Sequence, residues 1–402
     1  MPSKILLISY YYPPDLSAGS FRVKALVDAL LEELPDTCSL EIITTQPNRY
    51  SDVRRTLPSV EVLFKGRVLV RRVEVRQHEG GMLSQVLGFV KFTRSCKELL
   101  GSREFDILIA TSSRLATAML GAHLGKRNAK FCYLDIRDIF TDNLAFVLPF
   151  GLRRLGQLFF SCCESWTLKR ANGINLVSEG FREYFESRYP RLKFSFFSNG
   201  VDGGFYGEST LIDPSVKFSR ARTKKRVLYA GNIGVAQGLE NIVPKLAARL
   251  GPEFELVVIG NGAARAALEA ELRRQKVNNV VLLPPVSRAQ LYQEYCQSDV
   301  LFLHLNDFAP LRRVLPSKLF EYAATGKPIV AGVSGYAAYF VKREVENAAV
   351  FSPGDVQSAL DAIHNLSLVC VDRTLFIKKF GRQRIMRNLV SDIMSRFRSA
   401  GC

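Results

Sequence analysis

The sequence predicts an α/β protein made of two successive, doubly wound parallel sheets. Three observations carry that prediction. Short apolar runs that read as buried strands recur along the chain. Several of them enter a glycine-containing loop and then an amphipathic helical stretch. This order restarts after about Asn199. In the first half, the strand pattern Lys4–Ser9 leads through a Pro- and Gly-containing loop (Tyr12–Ser20) into a helical stretch, Phe21–Leu34. A second strand follows at Leu40–Thr45. Asp106–Ala110, Leu115–Leu124 and Lys130–Asp135 repeat strand, helix and strand. In the second half, Arg226–Ala230 and Phe254–Ile259 are strands entering glycine loops, each followed by a helix, Glu240–Leu250 and Ala263–Gln275. Val280–Leu283, Val300–Leu305 and Pro328–Gly332 read as further strands. Strand–helix–strand units of this kind wind right-handed, so each half reads as a Rossmann-like domain.

The 402 residues exceed what one core supports, since single cores stop growing near ~250–300 residues. Apolar residues make up 47% and charged residues 23%, a globular composition that excludes disorder, collagen and coiled coil. No apolar run reaches the ~18 residues of a membrane-spanning helix. The apolar piece at Ile5–Ile8 is too short for a signal peptide and runs straight into Tyr10-Tyr11-Tyr12-Pro13-Pro14. The eight cysteines show neither a C-x-x-C pair nor a zinc spacing, which reads as reduced thiols in a cytoplasmic protein. Lys plus Arg total 55 against 38 Asp plus Glu. The net charge of +17 points to anionic partners such as phosphorylated substrates, anionic lipid or nucleic acid.

In doubly wound sheets, ligands bind at the carboxyl ends of the strands. A glycine there admits a phosphate to the backbone and to the next helix N-terminus. Three loops fit: the one around Gly19, the run Gly231-Asn232-Ile233-Gly234-Val235-Ala236-Gln237-Gly238, and Gly260-Asn261-Gly262, which a plain turn explains equally well. No P-loop pattern is present, and no G-x-G-x-x-G follows the first strand. The richest segment is Pro316–Ala331. Pro316 suits a helix start and Gly326 a helix end. Lys318 and Glu321, three apart, share a face. They suit one cation for a phosphate and one carboxylate for a sugar hydroxyl, or a plain surface ion pair worth roughly 0–1 kcal/mol. The last stretch, Phe376–Phe397, is an amphipathic helical pattern with a basic face.

Together these residues resemble a GT-B glycosyltransferase of glycosyltransferase family 4. Tyr10–Pro14 leading into Gly19 is similar to the family's first loop. Ala171–Gly180 resembles its A-D-x-I-x-x-V-S segment. Asn199-Gly200-Val201-Asp202 followed by Phe205 matches its interdomain motif, and Gly231–Gly238 its first donor loop. Tyr295–Leu303, with Asp299, resembles Y-x-x-A-D-V-x-L, and Pro316–Ala331 the donor motif around Glu321. Ile136-Arg137-Asp138-Ile139 resembles a segment of the branch that builds bacterial O-antigens and capsules. The pieces arrive in the family's order.

The resemblance implies two Rossmann-like domains facing a cleft. Residues 1–198 would be the acceptor domain, 199–226 a linker and 227–375 the donor domain, with 376–402 a C-terminal helix able to pack back on the first domain. It implies a retaining hexosyltransferase in cell-surface polysaccharide (O-antigen, lipopolysaccharide or capsule) synthesis. The sugar would pass from a nucleotide-sugar, UDP-linked by preference, to a sugar or polyprenyl-diphosphate acceptor, with no tightly bound metal and no other cofactor. Gly19, Gly231, Asn232, Gly234, Gln237, Gly238, Gly260, Gly262, Ser317, Lys318 and Glu321 would bind the donor. Asp138, Arg137 and Lys318 would be catalytic, Asp138 activating or binding the acceptor, with Asp135 as a second choice. Three positions depart from the family pattern. Arg313 stands where a glutamate is usual, and Asn232 and Gln237 stand where the donor loop usually carries Arg and Lys. The first half carries Arg54-Arg55, Lys65, Arg67, Arg71-Arg72, Lys91, Arg94 and Lys97, with Met82–Phe92 among them, and Leu148–Phe160 interleaves Arg153 and Arg154 with Leu and Phe, which fits peripheral contact with an anionic inner membrane surface. Two alternatives remain. One is a nucleotide-sugar epimerase on the same architecture. The other is a non-catalytic basic protein binding nucleotide or nucleic acid, although no nucleic-acid motif is visible and nucleic acid is not expected as a partner.

Overall fold

The structure, a computed structural model, describes residues 2–15, 17–47, 57–75, 82–112, 115–139, 153–203 and 223–401. Phe205, Arg54, Arg55, residues 144–152 and most of the 199–226 stretch lie outside the described residues. The chain divides into two compact units, Met1–Asn199 with Arg382–Cys402, and Gly200–Gly381.

The first unit holds strands β1 (Lys4–Ser9), β2 (Ser39–Thr45), β3 (Val60–Leu63), β4 (Val68–Val73), β5 (Phe105–Ser112), β6 (Ala129–Ile136), β7 (Gly173–Leu176) and β8 (Phe194–Phe196). They form one sheet in the order β3-β4-β2-β1-β5-β6-β7-β8, parallel except for the antiparallel edge pair β3–β4. Its helices are α1 (Ala18–Glu33), α2 (Met82–Leu100), α3 (Leu115–Asn128), α4 (Arg153–Leu168) and α5 (Arg182–Arg188). The central strands are continuous apolar runs because both sheet faces are covered; Ile5 to Ile8 are all buried. Helix α1 begins three residues before the apolar period suggests. Ser17 is its N-cap and accepts the Ser20 N–H at 3.1 Å, so the helix starts where its first donors are satisfied.

The second unit holds β9 (Lys225–Ala230), β10 (Phe254–Ile259), β11 (Val280–Leu283), β12 (Val300–His304), β13 (Ile329–Gly332) and β14 (Ala348–Phe351), all parallel, in the order β11-β10-β9-β12-β13-β14. Helices α6 (Leu239–Leu250), α7 (Arg265–Arg274), α8 (Arg288–Cys296), α9 (Ser317–Ala324), α10 (Gly335–Glu344), α11 (Val356–Asn365) and α12 (Thr374–Phe380) cover it. Strand order reverses between β9 and β12, the switch point where such sheets leave room for a ligand.

The terminal pattern differs from a single helix over 376–397. The structure has α12 and then α13 (Arg382–Ser399), separated at Gly381, whose extended backbone pairs in parallel with Val201. The apolar stripe is shared between two cores. Phe376 and Phe380 pack on Phe320 and Phe340, with ring centroids 5.1–6.3 Å apart, in the second unit. Met386, Leu389, Val390, Ile393 and Phe397 are buried with Val23, Leu26, Val27 and Leu30 of α1 in the first. At roughly 1.5–3 kcal/mol per buried apolar side chain, each set suffices to hold its helix in place.

Candidate functional site

The carboxyl end of β9 opens into Gly231–Gly238, ahead of α6. Here the two residues that replace the expected Arg and Lys bond to each other: Asn232 Nδ2 donates to Gln237 Oε1 at 3.0 Å. The same oxygen accepts the Gly234 N–H at 3.2 Å. The loop is closed by an amide ring and presents no side-chain cation of its own. Behind it, the carbonyls of Gly231 and Ile233 lie where side chains would begin at Gly260 and Gly262. The glycines of that third loop are thereby accounted for by packing against the first. Asn306 stands over Gly238 in the same way, and its Nδ2 donates to the Val235 carbonyl at 2.6 Å.

The cation comes from α9. Pro316 caps this helix in extended conformation, so Ser317 and Lys318 occupy its first turn, where the helix dipole favours an anion. Lys318 Nζ donates to Tyr229 Oη at 2.6 Å and lies 3.8 Å from the centroid of that ring. It sits against Gly231, where any Cβ would strike the ammonium; Gly231 also has φ of +146°, which further favours glycine. Among the described residues Lys318 forms no ion pair. Glu321, one turn along, accepts instead from Tyr295 Oη at 3.3 Å. Burial lowers the Lys318 pKa to about 7, with the Glu321 charge opposing the shift. A half-buried ammonium with a phenol as its hydrogen-bond partner, and no carboxylate, is electrostatically incomplete.

Three further side chains, which sequence patterning did not single out for the site, hold it together. Tyr322 Oη accepts the Ala230 N–H at 2.9 Å and ties α9 to β9. Tyr229 Oη donates to the Asn232 carbonyl at 2.6 Å. His304, fully buried at the end of β12, braces the loop: Nε2 accepts the Gly354 N–H at 2.9 Å, so Nδ1 carries the proton to the Gln237 carbonyl at 2.6 Å. That imidazole is neutral, and burial lowers its pKa further. The only sequence signal for these residues was their position at strand ends or beside the α9 motif. Asp299 serves the frame, accepting the Arg226 N–H at 2.6 Å. Asp202 of the N-G-V-D stretch pairs with Arg288 at 2.9 Å.

In the first unit, Arg137 follows β6 and its guanidinium lies directly over Gly19 in the first turn of α1. A Cβ at Gly19 would meet it, so a larger residue there would displace the Arg137 guanidinium. Asp138, next along, is half-buried, and burial raises its pKa to about 6 against the opposing charge of Arg137. Asp135, the second choice for acceptor chemistry, is a structural ion instead. It is 1% exposed and receives Arg22 Nε and Nη2 at 2.8 and 2.9 Å, Asn175 Nδ2 at 2.7 Å and Thr111 Oγ1 at 3.1 Å. Burial disfavours its charge, but Arg22 and these donors hold the carboxyl below its usual range. The donor-loop residues, Ser317, Lys318 and Glu321 thus gather in the second unit, and Gly19, Arg137 and Asp138 in the first.

Residues 224–367 match the family described as "Glycosyl transferases group 1". The chain is 28% identical over 181 residues to the putative colanic acid biosynthesis glycosyl transferase WcaI of Escherichia coli K12. That match covers 42% of this chain and 43% of that protein, so it spans less than half the length of the relative. Among solved structures, sucrose-phosphate synthase of Thermosynechococcus elongatus superposes with a TM-score of 0.72 at 16% identity, covering 99% of this chain and 100% of that one. Anabaena HepE in complex with UDP and glucose gives 0.65 at 15% identity, covering 98% and 99%. The lipopolysaccharide outer core galactosyltransferase WaaB gives 0.59 at 13%, again covering 98% and 99%. The chain has the GT-B fold, and its residues 224–367 are similar to the group 1 glycosyltransferases.

Proposed function

We propose that the protein is a retaining hexosyltransferase. It takes a sugar from a nucleotide-sugar donor, UDP-linked by preference, and passes it to a sugar or polyprenyl-diphosphate-linked acceptor in the assembly of a cell-surface polysaccharide. The observation that supports this most is Lys318, an ammonium beside Gly231 at a helix start, with no carboxylate partner. A leaving diphosphate needs preorganised positive charge, and this arrangement supplies it with no tightly bound metal in the proposal. Gly231–Gly238, Ser317 and Lys318 hold the diphosphate, Glu321 the ribose hydroxyls, and Asp138 with Arg137 the acceptor hydroxyl. HepE, a structural relative, carries UDP and glucose, and WcaI and WaaB are named for colanic acid and lipopolysaccharide sugar transfer.

A thermal-shift screen against UDP, GDP and dTDP tests the donor. A nucleotide at 100 times its Kd stabilises the fold by about 2.7 kcal/mol. Loss of that shift in Glu321→Ala is expected; an unchanged shift in both Glu321→Ala and Lys318→Ala would sink the assignment.

We place the enzyme at the inner face of the cytoplasmic membrane as a peripheral protein. No described helix is long and apolar enough to cross a bilayer. Helices α2 and α4, both packed beside α3, carry large exposed apolar residues: Val86, Leu87 and Val90 on α2, and Leu155, Leu158 and Phe159 on α4, the latter three 64–67% exposed. Arg94, Lys97 and Arg154 share these helices, and such a mixture suits an anionic surface. Co-sedimentation with phosphatidylglycerol vesicles should fall in Leu158→Ser/Phe159→Ser. Equal binding by that variant would remove α4 from the contact.

A further inference from the structure

The donor loop lacks side-chain cations, so the way the neighbouring Lys318 ammonium is held decides how well the site is formed. Tyr229 is the last residue but one of β9, and its ring is buried. Its hydroxyl has two partners 86 residues apart in sequence: it accepts from Lys318 Nζ at 2.6 Å and donates to the Asn232 carbonyl at 2.6 Å. A phenol can do both at once, because its oxygen offers lone pairs and one proton. The Asn232 carbonyl belongs to the residue whose side chain closes the loop through Gln237. One hydroxyl therefore connects the cation on α9 to the loop on β9.

We infer that Tyr229 is the positioning residue of the diphosphate site: through its hydroxyl it sets Lys318 and the Gly231–Gly238 loop in register, in place of the basic residues that the loop lacks. The inference deepens the donor-site reading above and rests on it. It differs from a packing role, because the tyrosine ring would fill the same space without its oxygen. The groups that face Lys318 are Tyr229 on β9 and, on its own helix, Glu321; Tyr295 on α8 lies beside Glu321. Among them only Glu321 is an anion near neutral pH, and it is engaged with Tyr295. A diphosphate brings negative charge and favours the protonated ammonium, whose pKa burial lowers to about 7 against the opposing charge of Glu321. Binding should then take up a proton when the pH lies above that value.

The test is calorimetry of UDP binding to the full chain between pH 7.5 and 9.5, where the terminal phosphate of UDP is already ionised. Buffers of different ionisation enthalpy count the protons. Wild type should take up close to one proton and lose up to tenfold in affinity per pH unit. Tyr229→Phe, which keeps the ring, should bind UDP about tenfold more weakly, with its proton uptake shifted along the pH axis and its melting temperature within a few degrees of wild type. Lys318→Met should bind at least a hundredfold more weakly, with no proton uptake. Wild-type affinity and pH dependence in Tyr229→Phe, with Lys318→Met defective, would overturn the positioning role and leave the donor site standing. Normal UDP binding by Lys318→Met would overturn the donor-site assignment itself, and so would the absence of UDP, GDP and dTDP binding in wild type; either result removes this inference with it.

Discussion

Each unit places a charged side chain partly or wholly out of water near the carboxyl ends of its central strands, and the two charges are treated in opposite ways. Asp135 in the first unit is met inside the protein by a two-pronged Arg22, by Asn175 and by Thr111. Arg22 spends its remaining donors on the Phe197 and Ser198 carbonyls. Lys318 in the second unit meets a phenol and the face of a ring. A buried charge whose partners are all supplied by the fold is architecture. One whose counter-charge is missing marks the place where a ligand completes the electrostatics. The sequence alone offered both as candidates for chemistry, and the completeness of their surroundings separates them.

That contrast breaks first at Asp135. Asp135→Ala leaves the Arg22 guanidinium buried and unpaired, and should cost about 3–5 kcal/mol, measured by denaturant unfolding. A loss below 1 kcal/mol would mean that the pair is not structural. Replacing both partners by apolar residues, Arg22→Met with Asp135→Leu, should cost less than the single change.

Lys318→Met should do the reverse. It abolishes nucleotide binding yet leaves the free protein more stable, by about 1 kcal/mol or ~2–4 °C in melting temperature. The sign follows from the lowered pKa. Because the folded-state value, about 7, lies below the unfolded value, the unfolded chain binds the extra proton between those two pH values. Wild-type stability therefore gains as pH rises from 7 to 10, and the advantage of Lys318→Met should shrink over that range. Parallel melting curves would contradict the incomplete-charge reading.

In the first unit, Asp138 offers a pH signature. With its carboxyl raised to about 6, a role in accepting the acceptor's proton requires activity to fall below pH 6 as one group is protonated. Asp138→Asn should lower kcat about a hundredfold and flatten that limb. A retained acid limb would assign it to another group. Gly19→Ala has the smallest expected effect: displacing Arg137 should reduce kcat/KM about tenfold with a stability change of about 1 kcal/mol.

Much of this was legible in the sequence. The buried strands β1, β5, β9 and β10 announced themselves as apolar runs bounded by loops, because a strand covered on both faces admits little else. The start of α9 at Pro316 and its end before Gly326 follow from local backbone preferences, and Gly326 has φ of +69°. Other features were not legible. The helix pattern 376–397 has one period, yet it is cut at Gly381 because Phe376 and Phe380 fit one core and the residues from Met386 to Phe397 another. Asn232 and Gln237 looked like lost cations; only in three dimensions do they close the loop upon each other. His304 matched no pattern, since a buried imidazole between two backbone groups leaves no periodic trace.

The sequence by itself determined the α/β class, the doubly wound repeat, the glycine loops and the helix start carrying Lys318 and Glu321. Each of these rests on local preferences: alternation, periodicity, and the φ that glycine and proline allow. Tertiary structure alone decided which charges are complete. Lys318 and Tyr229 lie 89 residues apart, and Arg22 and Asp135 lie 113 apart. Whether a carboxylate or a phenol meets a buried cation depends on which strand ends the sheet order brings together, and burial then sets how strongly that difference is felt.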